Sequence, residues 1–177
     1  MPSDDIYLGN PNLKKANTPV EFTADQISEF IKCKKNPVYF AKKYVQIVNL
    51  DEGLVPFAPY KFQEKLIKRF HKERFNICKM PRQTGKSTTV VAYLLHYAVF
   101  NDSVNIGILA NKAATARELL GRLQTAYENL PKWMQQGIIS WNKGSMELEN
   151  GSKILAASTS ASAVRGMSFN ILFLDEF

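Results

Sequence analysis

Apolar residues recur at helical spacing in five stretches of the chain, each of which predicts a helix. The first helix opens at Thr23, which forms a capping-box pattern with Gln26, and the second opens at Asn36 with Pro37 in its first turn. The three longer stretches predict helices over residues 59–74, 87–100 and 113–130. The first twenty residues and residues 53–59 carry turn formers instead, and predict an extended arm and a connection.

Shorter apolar runs predict the strands. They lie over residues 75–80, 104–109 and 170–174. Residues 145–149 and 153–156 flank Asn150-Gly151, which indicates a hairpin with a type I′ turn. The alternation of strand and helix favours an α/β fold with a mostly parallel sheet and flanking helices. We expect two regions, namely an N-terminal arm and helical segment over residues 1–58 and a core over residues 59–177.

Composition and charge add little to the fold class predicted above. The chain is 45% hydrophobic and 22% charged, which is typical of a globular domain, and it has neither a membrane-length apolar run nor a signal-peptide pattern. We therefore expect a cytoplasmic protein. The formal charge of +7 lies wholly in residues 1–100, which permits a polyanionic partner without showing one. Cys33 and Cys78 lack neighbours at ligand spacing, so we expect both to pack as small apolar groups.

A triplet typical of phosphate binding, Gly85-Lys86-Ser87, lies between the predicted strand at 75–80 and the helix at 87–100. In the pattern GxxxxGK(S/T), backbone N–H groups surround phosphate oxygens, the lysine meets the β/γ charge and the hydroxyl helps to hold magnesium. Met80 replaces the first glycine of that pattern. Because the triplet follows a strand and begins a helix, we interpret it as a P-loop, against the alternative of a glycine-started helix with a solvated lysine.

Two adjacent carboxylates, Asp175 and Glu176, follow the apolar strand at 170–174. The carboxyl ends of buried parallel strands are where open α/β sheets bind ligands. We expect Asp175 to hold Mg²⁺ together with Ser87, and Glu176 to orient and deprotonate an attacking water. For the carboxylate pair taken alone, a solvated strand end is the alternative.

Residues 81–88 resemble the deviant Walker A segment of the large subunits of tailed-phage terminases. In that family Arg-Gln precedes the residue before Gly-Lys, and the first glycine is commonly absent. The resemblance covers nearly the whole chain and is closest to the T-even-like packaging motors. It is also carried by residues 11–17, 38–41, 106–110, 141–145 and 163–166. The resemblance implies a P-loop NTPase core of the RecA-like, ASCE type, with a sheet that is incomplete in this chain.

The resemblance also implies the nucleotide contacts, with ATP and Mg²⁺ as cofactors. Gln63 matches the glutamine that contacts adenine, since a side-chain amide can both donate to and accept from a purine edge. Taken alone, Gln63 would be interpreted as a surface helix residue. The loop residues implied to bind the nucleotide are Pro81, Arg82, Gln83, Thr84, Gly85, Lys86, Ser87 and Thr88.

Two arginines match catalytic positions of the family. Arg82 matches the Walker A arginine that acts in cis on the γ-phosphate, and Arg165 matches an arginine finger that reaches a neighbouring subunit's nucleotide. Guanidinium groups suit phosphate charge at either position, so the sequence does not choose between them. A surface ion pair is the alternative for Arg165. With Lys86 and Glu176 these arginines complete the implied catalytic set.

The partners implied by the resemblance are double-stranded DNA, a portal protein, a small terminase subunit and further copies of the subunit in a ring. The place of action would be the host cytoplasm, at the portal of the viral procapsid. Family members continue past the acid pair into a coupling motif, the rest of the ATPase sheet and a nuclease of the RNase H type. We therefore expect this chain to be part of a longer protein.

Three other functions stay open at this point. A helicase-type or restriction-type ATPase shares the glutamine, the loop and the acid pair, but it does not predict the segment at 141–144. A fragment that binds ATP with little turnover and a purely structural domain are the others. Four lysines recur on one face of the helix at 59–74, and we expect them to solvate that helix rather than to contact DNA. They are Lys61, Lys65, Lys68 and Lys72.

Overall fold

A computed structural model describes residues 5–49, 51–160 and 166–175. Within those residues the helices are α1 (Ala24–Lys35), α2 (Pro37–Tyr44), α3 (Lys61–Lys72), α4 (Lys86–Phe100) and α5 (Ala113–Glu128). The strands are β1 (Ile6–Tyr7), β2 (Asn10–Lys14), β3 (Gln46–Asn49), β4 (Gly53–Pro56), β5 (Asn105–Ala110), β6 (Ile138–Trp141), β7 (Ser145–Leu148), β8 (Lys153–Ser158) and β9 (Ile171–Asp175). All five predicted helices are therefore confirmed, within a few residues at their ends.

The main sheet has five strands in the order β6-β7-β8-β5-β9. β5 is parallel to both β8 and β9, whereas β7 is antiparallel to both β6 and β8. The sheet is therefore mixed rather than mostly parallel as predicted, with a parallel half that ends at β9 and an antiparallel half that ends at β6, because β6, β7 and β8 follow one another through short turns. β1 with β2 and β3 with β4 form two further antiparallel pairs.

The helices stack outward from the sheet. α5 contacts β5 and β8, α4 contacts α5, and α2 and α3 contact α4. Because α4 has helices on several sides, ten of its fifteen residues are buried, which accounts for its nearly continuous apolar sequence. Among the described residues, no helix has both the length and the apolar character that crossing a membrane requires.

Local sequence signals fix the starts of the first two helices. Thr23 Oγ1 accepts from the Gln26 amide at 3.2 Å, and Gln26 Oε1 accepts in return from the Thr23 amide at 3.0 Å. Asn36 Oδ1 accepts from the Tyr39 amide at 3.0 Å, with Pro37 directly after the cap. The predicted capping box and the predicted start at Asn36 are both confirmed.

Two regions predicted to lack regular structure contain short strands. β1 and β2 lie within the predicted arm, and Leu13 of β2 is buried in the core. Lys14 Nζ lies 2.9 Å from Glu149 Oε1, so the arm is tied to the turn after β7. β4 lies within the predicted connection at 53–59 and pairs with β3. The prediction missed these strands because two to five residues are too few for a hydrophobic period.

The strand predicted over residues 75–80 is wrong. The structure has no regular secondary structure there, and the side chains of Phe75 and Ile77 are 83% and 99% exposed. An extended segment becomes a strand only when a neighbouring backbone accepts its hydrogen bonds, and within the described residues β9 pairs with β5 alone. Leu172 and Leu174 are also exposed, contrary to the expectation of a buried central strand, because they lie on the opposite face of β9 from Ile171 and Phe173, which pack against the core.

Two smaller expectations, on the burial of the cysteines and on the type of the hairpin turn, are partly wrong. Cys33 is buried as expected, but Cys78 is exposed because it lies in the unpaired segment at 75–80. The predicted hairpin of β7 and β8 is confirmed, yet its turn is not type I′, since only Gly151 has a positive φ, of 80°. The Gly151 amide donates to the Leu148 carbonyl at 2.9 Å, which makes a three-residue loop with glycine in the left-handed position.

His96 fixes α4 against the helices around it. The imidazole is buried, its Nε2 donates to the Cys33 carbonyl at 2.9 Å, and the rings of Phe40 and Phe100 lie 5.5 and 4.9 Å away. Its Nδ1 has no hydrogen-bond partner among the described residues. Burial lowers the pKa of His96 to about 4, because the charged imidazolium would lose its hydration in the core.

The burial of His96 predicts that the folded chain loses stability in acid. The folded-state pKa of His96 lies below the ordinary value of 6.5, so the unfolded chain binds the extra proton between these two values. Stability is therefore highest above pH 6.5 and falls towards pH 4, by at most about 1.4 kcal/mol per pH unit from this group. Urea unfolding at pH 7 and pH 5 should show a smaller loss of stability in His96→Phe than in the unaltered chain. The same loss in both proteins would contradict the prediction.

Candidate nucleotide-binding site

The predicted phosphate loop is a tight turn that runs directly into α4. Gly85 caps the helix in the left-handed conformation, with φ of 72°, and Gln83 is also left-handed, with φ of 62°. Glycine adopts this conformation without the steric cost of a Cβ atom, so Gly85 suits the cap. Alternation of left-handed and other residues turns successive backbone N–H groups towards one side, as in known anion sites.

The loop is closed by its own hydrogen bonds. Thr84 Oγ1 donates to the Pro81 carbonyl at 2.9 Å, and Lys86 Nζ lies 3.4 Å from the Met80 carbonyl. Lys86 is therefore folded back across the loop, with its ammonium group near the start of the turn. A single long hydrogen bond to a neutral carbonyl leaves that ammonium group able to meet an anion instead.

Positively charged groups lie at the amino end of α4. The first turn of the helix carries no acidic residue, so its N-terminal partial charge is not offset. Lys86 adds a full charge at the first helical position, and Arg82 is exposed in the loop. Neither residue forms an ion pair with another described residue. Ser87 and Thr88 follow in the first turn and are half-buried.

Gln63 lies against the loop rather than on the surface of α3. It is 4% exposed, and its Nε2 is 3.5 Å from the Thr84 carbonyl and 3.4 Å from the Gly85 carbonyl. The structure thus brings Gln63 together with the loop, and the interpretation of Gln63 as a surface helix residue is wrong. Its predicted contact with adenine stays a prediction.

Sequence reasoning missed one residue that shapes the loop. Thr89 is fully buried, and its Oγ1 donates to the Gly85 carbonyl at 2.8 Å, beside the ordinary helical bond from the Thr89 amide at 3.0 Å. The signal was the spacing, since a threonine four residues after a helix cap can bond back to the cap carbonyl.

The acidic end of the candidate site lies on the main sheet. Asp175 is the last residue of β9 and is paired with Ala110 at the end of β5, so it lies at the carboxyl edge of the parallel strands, as predicted. Glu176 and Arg165 both lie outside the described residues. The convergence of Lys86, Ser87 and the acid pair on one ligand stays a prediction.

The predicted magnesium ligands offer oxygen donors. Ser87 carries a hydroxyl and Asp175 a carboxylate, and Mg²⁺ is usually bound by one or two protein oxygens together with phosphates and water. Among the described residues there is no cluster of three or more His, Cys, Asp or Glu side chains that could hold a metal. The binding of Mg²⁺ by Ser87 and Asp175 stays a prediction.

Comparison with known proteins decides the family. The family model described as "Terminase large subunit, T4likevirus-type, N-terminal" matches residues 77–177, which is more than half of the chain. The chain belongs to this terminase large-subunit family. The match covers residues 81–88 and Asp175, whereas Gln63 lies before it.

A solved terminase has a similar fold. The crystal structure of the HK97 bacteriophage large terminase superposes with a TM-score of 0.64, and the match covers 80% of this chain and 30% of that one. The two sequences are 17% identical over the match, so the likeness is one of fold. The match with this terminase chain therefore spans less than a third of the HK97 chain.

The fit of Gly85 against Gln63 yields a stability prediction. An alanine Cβ at position 85 would lie 2.6 Å from Gln63 Nε2, and φ of 72° would strain any side chain there. Gly53 supplies the matched control, since its φ is 76° but no atom lies within 4 Å of an added Cβ. Left-handed strain costs roughly 1 kcal/mol in either variant. We expect Gly85→Ala to lower the free energy of unfolding further than Gly53→Ala.

A double-mutant cycle measured by urea unfolding checks this prediction. Combining Gly85→Ala with Gln63→Ala should cost less than the sum of the two single changes, because the clashing amide is gone. Equal losses in Gly85→Ala and Gly53→Ala, together with additive effects in the cycle, would show that the two residues do not press on each other.

Proposed function

We propose that this terminase chain binds and hydrolyses ATP as part of the motor that packages double-stranded DNA into a viral procapsid. The observation that carries the proposal is the loop at residues 81–85, which ends in a left-handed glycine at the amino end of a buried helix. Such an end offers unpaired N–H groups and positive potential to phosphate oxygens. Membership of the terminase large-subunit family supports the packaging role.

The proposed core is a P-loop NTPase of the RecA-like type. The parallel arrangement of β8, β5 and β9 supports it, since such sheets bind ligands at the carboxyl ends of their strands. In this scheme Lys86 neutralises charge on the β- and γ-phosphates, while the backbone of residues 81–88 surrounds them. Ser87 and Asp175 hold Mg²⁺, which polarises the phosphoryl oxygens when it is bound.

The proposed scheme also assigns the remaining catalytic roles. Glu176 orients the attacking water and removes its proton, and an arginine meets the charge that develops on the γ-phosphate. Arg82 is the candidate within the subunit, and its exposed position in the loop supports that role. Arg165 is the candidate that reaches a neighbouring subunit in a ring. The partners in this proposal are DNA, the portal protein and the small terminase subunit, at the procapsid portal in the host cytoplasm.

One observation favours a second candidate, a chain that binds ATP with little turnover. The segment at 75–80, which leads into the loop, is exposed and lies outside the main sheet. Hydrolysis needs the loop held in place within a fraction of an ångström, whereas binding tolerates more freedom. The loop is anchored at α4 but not through a strand, so it is better suited to binding ATP than to hydrolysing it.

Lysine substitution tests the nucleotide-binding loop. Lys86→Ala removes the ammonium group and should lower the rate of ATP hydrolysis about 100-fold or more. Lys79→Ala is the matched control, because Lys79 is exposed in the segment before the loop and forms no ion pair with a described residue. Phosphate release and ATP binding would be measured on all three proteins.

The two candidate functions give different results in that experiment. Turnover that depends on Lys86 supports the motor, and Lys86-dependent binding without turnover in the unaltered chain supports the second candidate. Binding and turnover that are the same in Lys86→Ala as in the unaltered chain would exclude the loop as the nucleotide site.

A further inference from the structure

α3 carries four lysines in a line along its exposed side. Residues three and four positions apart on a helix lie one above the other, and these lysines are spaced by four, three and four positions. At roughly 100° and 1.5 Å per residue, they fall within an arc of about 60° and along a length of about 16 Å. Gln63 and Ile67 are buried on the opposite side of the helix. The four exposed side chains form the basic face of α3 and are those of Lys61, Lys65, Lys68 and Lys72.

The basic face keeps nearly all of its charge. Glu64 is the acidic residue of α3, and its Oε1 lies 2.6 Å from Lys42 Nζ on α2. Glu73 follows the helix, and its Oε1 lies 3.9 Å from Lys72 Nζ, which is a weak contact between two exposed side chains. The other three lysines of the basic face form no ion pair with a described residue. Their charge is therefore open to an anion from outside the chain.

α5 shows the more usual arrangement of an exposed helix face. Its Arg122 Nη2 lies 2.6 Å from the Oε1 of Glu118, one turn earlier. A face that serves only solubility usually mixes both signs, since like charges one turn apart repel each other and destabilise a helix. The basic face of α3 keeps that repulsion, and a bound polyanion would relieve it. The structure therefore weighs against the expectation that these lysines only solvate α3.

Further cations extend the charged surface beyond the four lysines. Residues 61–80 contain seven lysines and arginines against two glutamates, so this stretch accounts for +5 of the formal charge of +7. Arg69 is exposed beside the basic face, and Arg74 and Lys79 are exposed in the segment after α3. A partner that matches this surface carries several negative charges over a comparable length.

We propose that the basic face of α3 binds the phosphate backbone of double-stranded DNA. This inference rests on the proposed function, which supplies DNA as the partner. A duplex carries one phosphate per about 3.4 Å of its axis on each strand, so a line of about 16 Å lies against about four or five phosphates. A lysine meets a phosphate as a point charge and does not read a base edge. Contacts of this kind hold any DNA sequence, which a motor that moves along the duplex requires.

The basic face lies apart from the candidate nucleotide site. Gln63, which contacts the loop carbonyls, is on the buried side of α3, opposite the lysines. Arg82 and Lys86 belong to the loop and to the start of α4. Neutralising the basic face should therefore weaken the binding of DNA and leave the binding of ATP unchanged.

Fluorescence anisotropy of a labelled duplex tests the proposal, without nucleotide and over a range of salt concentrations. Glutamine removes the charge of each lysine and has nearly the same helix propensity. In a fourfold variant we expect the dissociation constant at low salt to rise about tenfold or more. The salt dependence, as the slope of log K against log salt, should become shallower by about three to four, roughly one for each lost phosphate contact. The four substitutions are Lys61→Gln, Lys65→Gln, Lys68→Gln and Lys72→Gln.

Four exposed lysines elsewhere provide the matched control. Their replacement lowers the net charge by the same amount, but they lie after β2, at the end of α1 and before α5 instead of on one face. We expect this control to weaken the binding of DNA by about twofold at most, with an unchanged salt dependence, because distant charges are screened. Equal losses in the two variants would show that DNA responds only to net charge, and would overturn the proposal. The control substitutions are Lys15→Gln, Lys34→Gln, Lys35→Gln and Lys112→Gln.

Two variants with fewer changes guard against a failure of the fourfold variant to fold. Lys61→Gln with Lys65→Gln, and Lys68→Gln with Lys72→Gln, should each make the salt dependence shallower by about two. Circular dichroism of every variant checks that the helical content is retained. An unchanged salt dependence in both folded pairs would overturn the proposal.

Competition distinguishes DNA from an acidic protein partner. Unlabelled duplex should displace the labelled duplex at a lower concentration of negative charge than poly-glutamate does, because the rigid duplex holds its phosphates at high density. Poly-glutamate that competes equally well, charge for charge, would contradict the assignment to DNA.

Lys86→Ala distinguishes failure of this inference from failure of the proposed function. If ATP binding depends on Lys86 while the unaltered chain binds no DNA, or binds it equally after the basic face is neutralised, the proposed function stands and the inference is wrong. If DNA binding depends on the basic face while ATP binding is the same in Lys86→Ala, the basic face is a DNA site and the proposed function is wrong.

Discussion

The placement of the amino end of α4 is the constraint on which the candidate site depends. Ten of the fifteen residues of this helix are buried, so packing on several sides fixes its axis and its first turn. Gly85 begins the helix and ends the loop, and one carbonyl, that of Gly85, receives bonds from Thr89 and Gln63. The proposed binding of phosphate at this point needs N–H groups that do not move, and a buried helix supplies them.

The sequence predicted the helices well because their signals are local. Capping side chains at Thr23 and Asn36 and apolar residues at helical spacing need no knowledge of distant partners. The loop was equally predictable, since Gly85-Lys86-Ser87 is a local pattern that must precede a helix. The place of Asp175 at the end of a parallel strand followed from the apolar run before it.

Features that depend on distant partners were not predictable in this way. The run at 75–80 is apolar enough for a strand, but its state depends on whether a neighbouring backbone pairs with it. β1 and β2 are short, and their place was set by contacts such as that of Lys14 with Glu149, 135 residues further along the chain. Gln63 was interpretable as a surface residue from its helix alone, because its partners follow it by more than twenty residues.

One proposal combines the terminase family assignment with the loop geometry: Lys86 contacts the phosphates of a bound nucleotide, and Ser87 and Asp175 hold its Mg²⁺. The most direct measurement is a crystal structure of the chain with Mg²⁺ and a non-hydrolysable ATP analogue. The account predicts Lys86 Nζ within about 3 Å of β- or γ-phosphate oxygens, with Ser87 and Asp175 on one magnesium ion directly or through water. An analogue bound elsewhere, or Asp175 remote from the phosphates, would contradict it.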